Sequence, residues 1–187
     1  MSLNANLIKE LREKSGAGIV DCKNALLQND NNVEKSIDWL RKKGLSVAAK
    51  KSGRVAAEGL VGVNIINNQA CLIEINSETD FVSRNEQFQK FVSDCSKIAI
   101  TTNGDLKDLL KSKFINSDNT VEDELTKNVA TIGENLNIRR IEKINLDEPG
   151  IIVSYVHNSV SENLGKIGVI LSLKSNADKN SLEDIGK

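Results

Sequence analysis

Hydrophobic residues recur at spacings of three and four along the first fifty residues, and this period predicts three short amphipathic helices. The inward positions are Leu3, Leu7 and Leu11 in the first helix, Cys22, Ala25 and Leu26 in the second, and Val33, Ile37 and Leu40 in the third. Gly16 and Gly18 permit a tight turn between the first two helices. Asn31 and Glu34 are expected to cap the third helix, and Gly44 to end it. This segment is therefore expected to form a compact helical bundle near the lower size limit for independent folding.

The pattern changes after residue 57, where apolar runs and alternating positions are typical of strands. We expect strands at Glu58–Ile66, Gln69–Ile75, Leu136–Ile144, Ile151–His157 and Ile167–Leu173. Asn67-Asn68 is a hairpin turn signal between the first two. Amphipathic helices are expected around Phe88–Ala99, at Leu106–Leu110, and from a Thr120–Asp123 cap through Ile132. Local hairpins beside helices favour an α+β fold with antiparallel sheets.

The segment Thr79-Asp80-Phe81-Val82 lies between a predicted buried strand and a strongly amphipathic helix. Ser83 and Glu86 have the spacing of a capping box, which predicts that the helix begins there. Two interpretations of this corner are open. Asp80 can complement a helix dipole while Phe81 folds back into the core, or the acidic and aromatic pair can insert into a partner protein.

A second pair, Ile19 and Val20, begins the second predicted helix. Adjacent helical residues cannot both face the same core, so one of them is expected to be exposed. That residue is either a candidate docking point or partly covered by the third helix.

Six basic residues and no acidic residue lie between Arg41 and Ala57. Residues Gly44–Lys51 are expected to form a separate short linker helix, whose basic face contacts RNA or an acidic surface, or is simply solvated. The predicted domains are a helical bundle with its basic linker helix (1–53), a first sheet subdomain (54–140) and the start of a second, incomplete one (141–187).

Composition narrows the possible functions. A net charge of −1 and 3% aromatic residues disfavour a general nucleic-acid-binding protein. Three widely spaced cysteines without a secretory signal favour reduced thiols in the cytoplasm, and no apolar run is long enough for a transmembrane helix. With a single histidine, His157, and no phosphate-binding loop, the sequence indicates neither a metal site nor a catalytic triad. A binding protein that is not an enzyme is the expectation.

Three ordered motifs carry a family resemblance across the whole chain. They are Leu7–Arg12 with Gly16–Gly18 and Asp21–Leu26, then Thr79–Val82, then Ile132–Asn135 with Arg139-Arg140. The chain thereby resembles the translation elongation factor Ts family. The resemblance implies a ubiquitin-associated-like three-helix bundle followed by antiparallel core subdomains, and it suggests that this chain is a carboxy-terminally truncated member.

The resemblance also implies a function and a set of partner-binding residues. The family exchanges guanine nucleotide on the GTPase elongation factor Tu without a cofactor, by binding the GDP form and promoting release of Mg²⁺ and GDP. Thr79, Asp80, Phe81 and Val82 would insert near the Mg²⁺ site, and the bundle residues Arg12, Ile19, Val20 and Lys23 would contact the GTPase domain. Ile132, Gly133 and His157 are weaker assignments, with the third domain of elongation factor Tu as a further expected contact.

Overall fold

The computed structural model of the protein describes residues 5–187. The described residues divide into two compact units, residues 5–54 with 126–135 and residues 55–125 with 136–187. The α+β class with antiparallel sheets is confirmed. The predicted boundary between residues 140 and 141 lies inside a strand, and the predicted three-part division of the chain stays a prediction. Leu3 lies outside the described residues.

The first unit contains three helices, α1 (Ala5–Ser15), α2 (Ile19–Gln28) and α3 (Val33–Lys51). Its core is formed by Leu11, Cys22, Ala25 and Leu26, on which Leu7, Val33, Ile37 and Leu40 pack. The inward positions predicted for residues 7 to 40 are therefore confirmed. The cap of α3 is Asn32, whose side chain accepts from the Lys35 amide, and not Asn31 as predicted.

The predicted break at Gly44 and the separate linker helix are wrong, because α3 continues through this glycine to Lys51. Gly44 is buried. A β-carbon at this position would lie 3.7 Å from the Ala130 Cβ and 3.9 Å from the Thr126 Cγ2. The small residue thus lies in a close helix–helix contact within the first unit. A glycine inside a helix costs about 1 kcal/mol relative to alanine, and α3 continues through Gly44 in spite of that cost.

The second unit is built on a four-stranded antiparallel sheet with strand order β3-β2-β1-β5. Its strands are β1 (Glu58–Ile66), β2 (Gln69–Ser77), β3 (Asn137–Asn145) and β5 (Leu164–Gly165), and a separate antiparallel pair is formed by β4 (Gly150–His157) and β6 (Ile167–Lys174). The predicted β1–β2 hairpin is confirmed, with Asn67 at φ +53° in its turn.

Helices complete the second unit. They are a 3₁₀ helix (Asp80–Arg84), α4 (Glu86–Ala99), α5 (Leu106–Lys111) and α7 (Lys179–Gly186), while α6 (Val121–Ile132) is shared between the units after Leu125. A β-carbon on Gly62 would lie 3.1 Å from Val92 of α4, so α4 packs on that face of β1. Gly168 of β6 lies against Val61 and Val63, which point to the opposite face. The sheet is therefore covered on both sides.

Candidate functional site

The candidate corner begins where β2 ends at Ser77 and consists mainly of the 3₁₀ helix Asp80–Arg84. Phe81 is 75% exposed, whereas its neighbour Val82 is 5% exposed and belongs to the core. Of the two open interpretations of this corner, the one in which Phe81 folds back into the core is therefore wrong, and Val82 is the residue that anchors the corner. Thr79 and Asp80 are also exposed. The Phe81 ring is thus exposed to solvent on a short 3₁₀ helix that the buried Val82 side chain anchors to the core.

The helix after the corner begins two residues later than the predicted capping box. Its N-cap is Asn85, whose side chain accepts a hydrogen bond from the Phe88 amide at 3.1 Å. Ser83 belongs to the 3₁₀ helix, and its hydroxyl donates to the Asp80 carbonyl. Gln89 from the first turn of α4 reaches back and donates to the Ser83 carbonyl at 2.8 Å. Side chains of the corner itself and of α4 therefore hold the corner's backbone.

Within the described part of the chain, the Asp80 carboxylate takes part in no ion pair or side-chain hydrogen bond. It is exposed at the first position of the 3₁₀ helix, where a negative charge suits the helix end. Because the fold itself leaves this carboxylate unpaired, a partner can approach it without breaking an internal contact.

A polar network joins the ends of β1, β2 and β3 before the corner. The buried Asn76 donates to the Glu58 carbonyl at 3.0 Å and to the Glu74 carboxylate at 3.1 Å. Arg140 also donates to Glu74, at 2.7 Å, beside a register shift in the ladder between β2 and β3. Burial raises the pKa of Glu74, but hydrogen bonds from Asn76 and Arg140 and the charges of Arg140 and Arg139 outweigh it, so the pKa lies below its ordinary value.

The bundle residues predicted to bind a partner lie on or beside α2. Ile19 is 56% and Val20 68% exposed, so both residues are exposed where the sequence predicted one. Arg12 and Lys23 are exposed as well. Leu27 lies seven residues after Val20, and thus on the same side of α2, and adds another exposed apolar side chain that was not predicted. Its signal is the adjacent pair Leu26-Leu27, of which only one residue can face the core.

Part of the basic stretch on α3 is engaged by the first unit itself. Lys43 forms an ion pair with Asp21 at 2.5 Å, and its ammonium group lies 5.4 Å from the centre of the Trp39 ring. Lys51 donates to the Gly133 carbonyl. These two lysines bind their own chain, which weakens the interpretation of the stretch as an RNA-binding surface.

The three weaker assignments fall at the ends of elements. Ile132 is half-buried at the end of α6, and Gly133 follows it with φ +86°. His157 is exposed at the end of β4, where its Nδ1 lies 2.9 Å from the Tyr155 hydroxyl. Ile132 and Gly133 belong to the first unit with Arg12, Ile19, Val20 and Lys23, whereas His157 belongs to the second with the corner.

The three cysteine thiols are buried in the core of the protein. Cys22, Cys71 and Cys95 are buried free thiols. Burial raises the pKa of Cys71 to about 11 and that of Cys95 well above its ordinary value, which keeps both thiols protonated at neutral pH. Residues 5–187 contain no group of three or more His, Cys, Asp or Glu side chains placed to hold a metal ion. Over the same residues, no helix combines the length and the apolar character needed to cross a membrane.

The molecule thus contains a helical bundle and an α+β unit with two sheets. The α+β unit exposes the Phe81 ring on a corner whose backbone is held by hydrogen bonds. Residues 78–187 match the family model described as Elongation factor TS. The chain belongs to the elongation factor Ts family.

Three relatives illustrate the similarity, each called elongation factor Ts. The proteins from Methylobacterium radiotolerans and Rhodospirillum centenum are 50% and 51% identical over 186 and 185 residues, and the one from Rhizobium etli is 46% identical over 185 residues. These alignments cover 99–100% of this chain and 60% of each relative. The chain thus spans about 60% of the length of the curated relatives it matches.

Proposed function

We propose that this protein is a guanine-nucleotide exchange factor that acts in the cytoplasm on elongation factor Tu. It binds the GDP-bound GTPase, loosens Mg²⁺ and GDP, and leaves when GTP enters. Exchange of this kind requires differential contacts with two states of the GTPase and no reacting group on the factor. By linkage, a factor that weakens nucleotide binding must bind the nucleotide-free GTPase more tightly by the same ratio.

The observation that carries the proposal is the exposed Phe81 ring on the corner fixed by Val82. A wedge must be both accessible and stiff, because a flexible ring would lose conformational entropy when it inserts. Phe81 meets the first requirement, and the buried Val82 with the Ser83 and Gln89 hydrogen bonds meets the second. Asp80, unpaired in its own fold, is placed beside the ring to perturb the contacts that hold Mg²⁺.

The bundle supplies a second contact in this proposal. Ile19 and Val20 provide exposed apolar surface at the start of α2, with Arg12 and Lys23 as exposed cations. We place these residues against the GTPase domain. Ile132, Gly133 and His157 are assigned weaker contacts, with the third domain of elongation factor Tu as a further docking surface. Two separate contacts are needed because burying one aromatic ring stabilises a complex by only about 1.5–3 kcal/mol.

Stopped-flow release of a fluorescent GDP analogue from elongation factor Tu tests the proposal. Addition of the protein should accelerate release in proportion to its concentration until the complex saturates. An unchanged release rate, together with no complex in sedimentation velocity at micromolar concentrations, would refute an exchange function.

A further inference from the structure

Two buried serine hydroxyls hold consecutive peptide groups of the candidate corner. Ser77 is fully buried, and its Oγ donates to the Thr79 carbonyl at 2.9 Å. Ser83 is 4% exposed, and its Oγ donates to the Asp80 carbonyl at 2.5 Å. The Thr79 carbonyl belongs to the peptide group before Asp80, and the Asp80 carbonyl to the one after it. The two hydroxyls therefore fix the peptide planes on both sides of Asp80.

The corner needs such support because its own helical structure is short. The 3₁₀ helix contains five residues, and the side chain of its N-cap, Thr79, makes no capping hydrogen bond to it. Hydrogen bonds in 3₁₀ helices have poorer geometry than those in α-helices. Serine hydroxyls that donate to a carbonyl two or three residues away compensate by fixing the local backbone.

We propose that Ser77 and Ser83 are positioning residues for nucleotide exchange. The backbone angles of Asp80 are set by the two peptide planes that flank it. They fix the direction in which the Asp80 side chain leaves the main chain and the position of the Phe81 Cα, from which the ring extends. By holding these planes, the serines present the carboxylate and the ring in one orientation before a partner arrives. This role rests on the proposed exchange function, and it is distinct from direct contact because both serines are buried beneath the corner.

A purely structural role is the alternative, and the chain offers a matched control for it. Ser96 of α4 is 3% exposed, and its Oγ donates to the Ser93 carbonyl at 2.7 Å. It has the burial and the bonding pattern of Ser83 within the same unit but does not bond the corner. Ser96→Ala therefore reports the effect of losing a buried serine hydroxyl without loosening Asp80 and Phe81.

The first test uses the free protein and needs no partner. Order parameters from ¹⁵N relaxation are measured for the Asp80 and Phe81 amides in the wild type, Ser77→Ala, Ser83→Ala and Ser96→Ala. We expect order parameters of about 0.85 in the wild type and in Ser96→Ala, and a fall toward about 0.6 in Ser77→Ala and Ser83→Ala. Unchanged values in Ser77→Ala and Ser83→Ala would overturn the proposal.

The second test measures GDP release from elongation factor Tu in two backgrounds of the whole protein. In the otherwise native protein, Ser77→Ala and Ser83→Ala should each slow stimulated release about threefold to tenfold, the range expected for one hydrogen bond. In a background carrying both Asp80→Ala and Phe81→Ala, the same changes should cause no further slowing, because the groups to be positioned are gone. Ser96→Ala should have the same small effect in both backgrounds.

The outcomes separate this proposal from the exchange function on which it rests. Equal slowing in both backgrounds would overturn positioning, since a general loss of stability acts without Asp80 and Phe81. If the wild-type protein fails to stimulate release at all, the exchange function fails and the role of the serines in exchange fails with it. Relaxation measurements then decide separately whether the two hydroxyls order the corner.

Discussion

Replacing Phe81 by alanine tests whether the ring inserts into elongation factor Tu, because the change should remove binding free energy without damaging the fold. The ring is 75% exposed in the free protein, so its contribution to folding is small. Full burial of a phenylalanine side chain is worth about 1.5–3 kcal/mol. About three quarters of that value, ~1.1–2.2 kcal/mol, remains to be gained on insertion into a partner.

That free energy corresponds to a change of about 6- to 40-fold in an equilibrium constant. We therefore expect Phe81→Ala to weaken binding to nucleotide-free elongation factor Tu by this factor. Stimulated GDP release at subsaturating concentrations should slow to a similar extent. Stopped-flow release measures the rate, and urea denaturation checks that the free energy of unfolding changes by less than about 0.5 kcal/mol.

Two further variants make the result specific. Val55→Ala also truncates a strongly exposed apolar side chain in the second unit and should leave release unchanged. Phe88→Ala truncates a fully buried ring in α4 and should cost about 3–5 kcal/mol of stability. The wedge argument would be refuted if Phe81→Ala stimulated GDP release from elongation factor Tu as fast as the wild type does, or if it lost as much stability as Phe88→Ala.

Other predictions concern the residues around the corner. Asp80→Ala should slow stimulated GDP release while leaving the urea midpoint near that of wild type, since the carboxylate is exposed; a large fall in the midpoint would assign it a folding role instead. Glu74 has a lowered pKa, so its stabilising contribution is present above the unfolded pKa of about 4.5 and is lost as the pH falls through the lower folded value. The stability difference between wild type and Glu74→Gln should accordingly shrink below pH ~4.5, and a constant difference in urea melts would contradict this. Gly59 has φ +124°, and a β-carbon there would lie 2.2 Å from the Ile75 carbonyl oxygen. Gly59→Ala should therefore lower the free energy of unfolding by about 1–3 kcal/mol. Gly53→Ala is the control, because Gly53 has open space around it and the change should be close to neutral.

The elements that the sequence predicted well are those defined by local periodicity and turn chemistry. The β1–β2 hairpin follows from two apolar runs around Asn67-Asn68, and its turn has the left-handed backbone that asparagine tolerates. The N-terminus of α6 was predicted from Thr120 and Asp123, which exchange reciprocal hydrogen bonds in the structure. In both places the residues that decide the structure are close together in the chain.

The failures have a common cause, which is competition between local signals and distant packing. Gly44 is a sound helix-stop signal on its own, but contact with Thr126 and Ala130 from more than eighty residues away makes a small residue useful inside α3. Ser83 and Asn85 are both good N-caps, and the burial of Val82 allows a 3₁₀ turn to precede the helix. The exposure of Phe81 could not be derived from an apolar pair, because local pattern does not say which of the two residues faces the core.

The burial of all three thiols has a practical consequence for spectroscopy. Cys22, Cys71 and Cys95 have no exposed surface in the native fold, so a maleimide reagent has little access to any of them. A cysteine introduced at an exposed position, as in Val55→Cys, should therefore take up a fluorophore or spin label selectively without removal of the native cysteines. The approach of a partner to the corner can then be followed by distance measurements in a molecule whose core is unaltered.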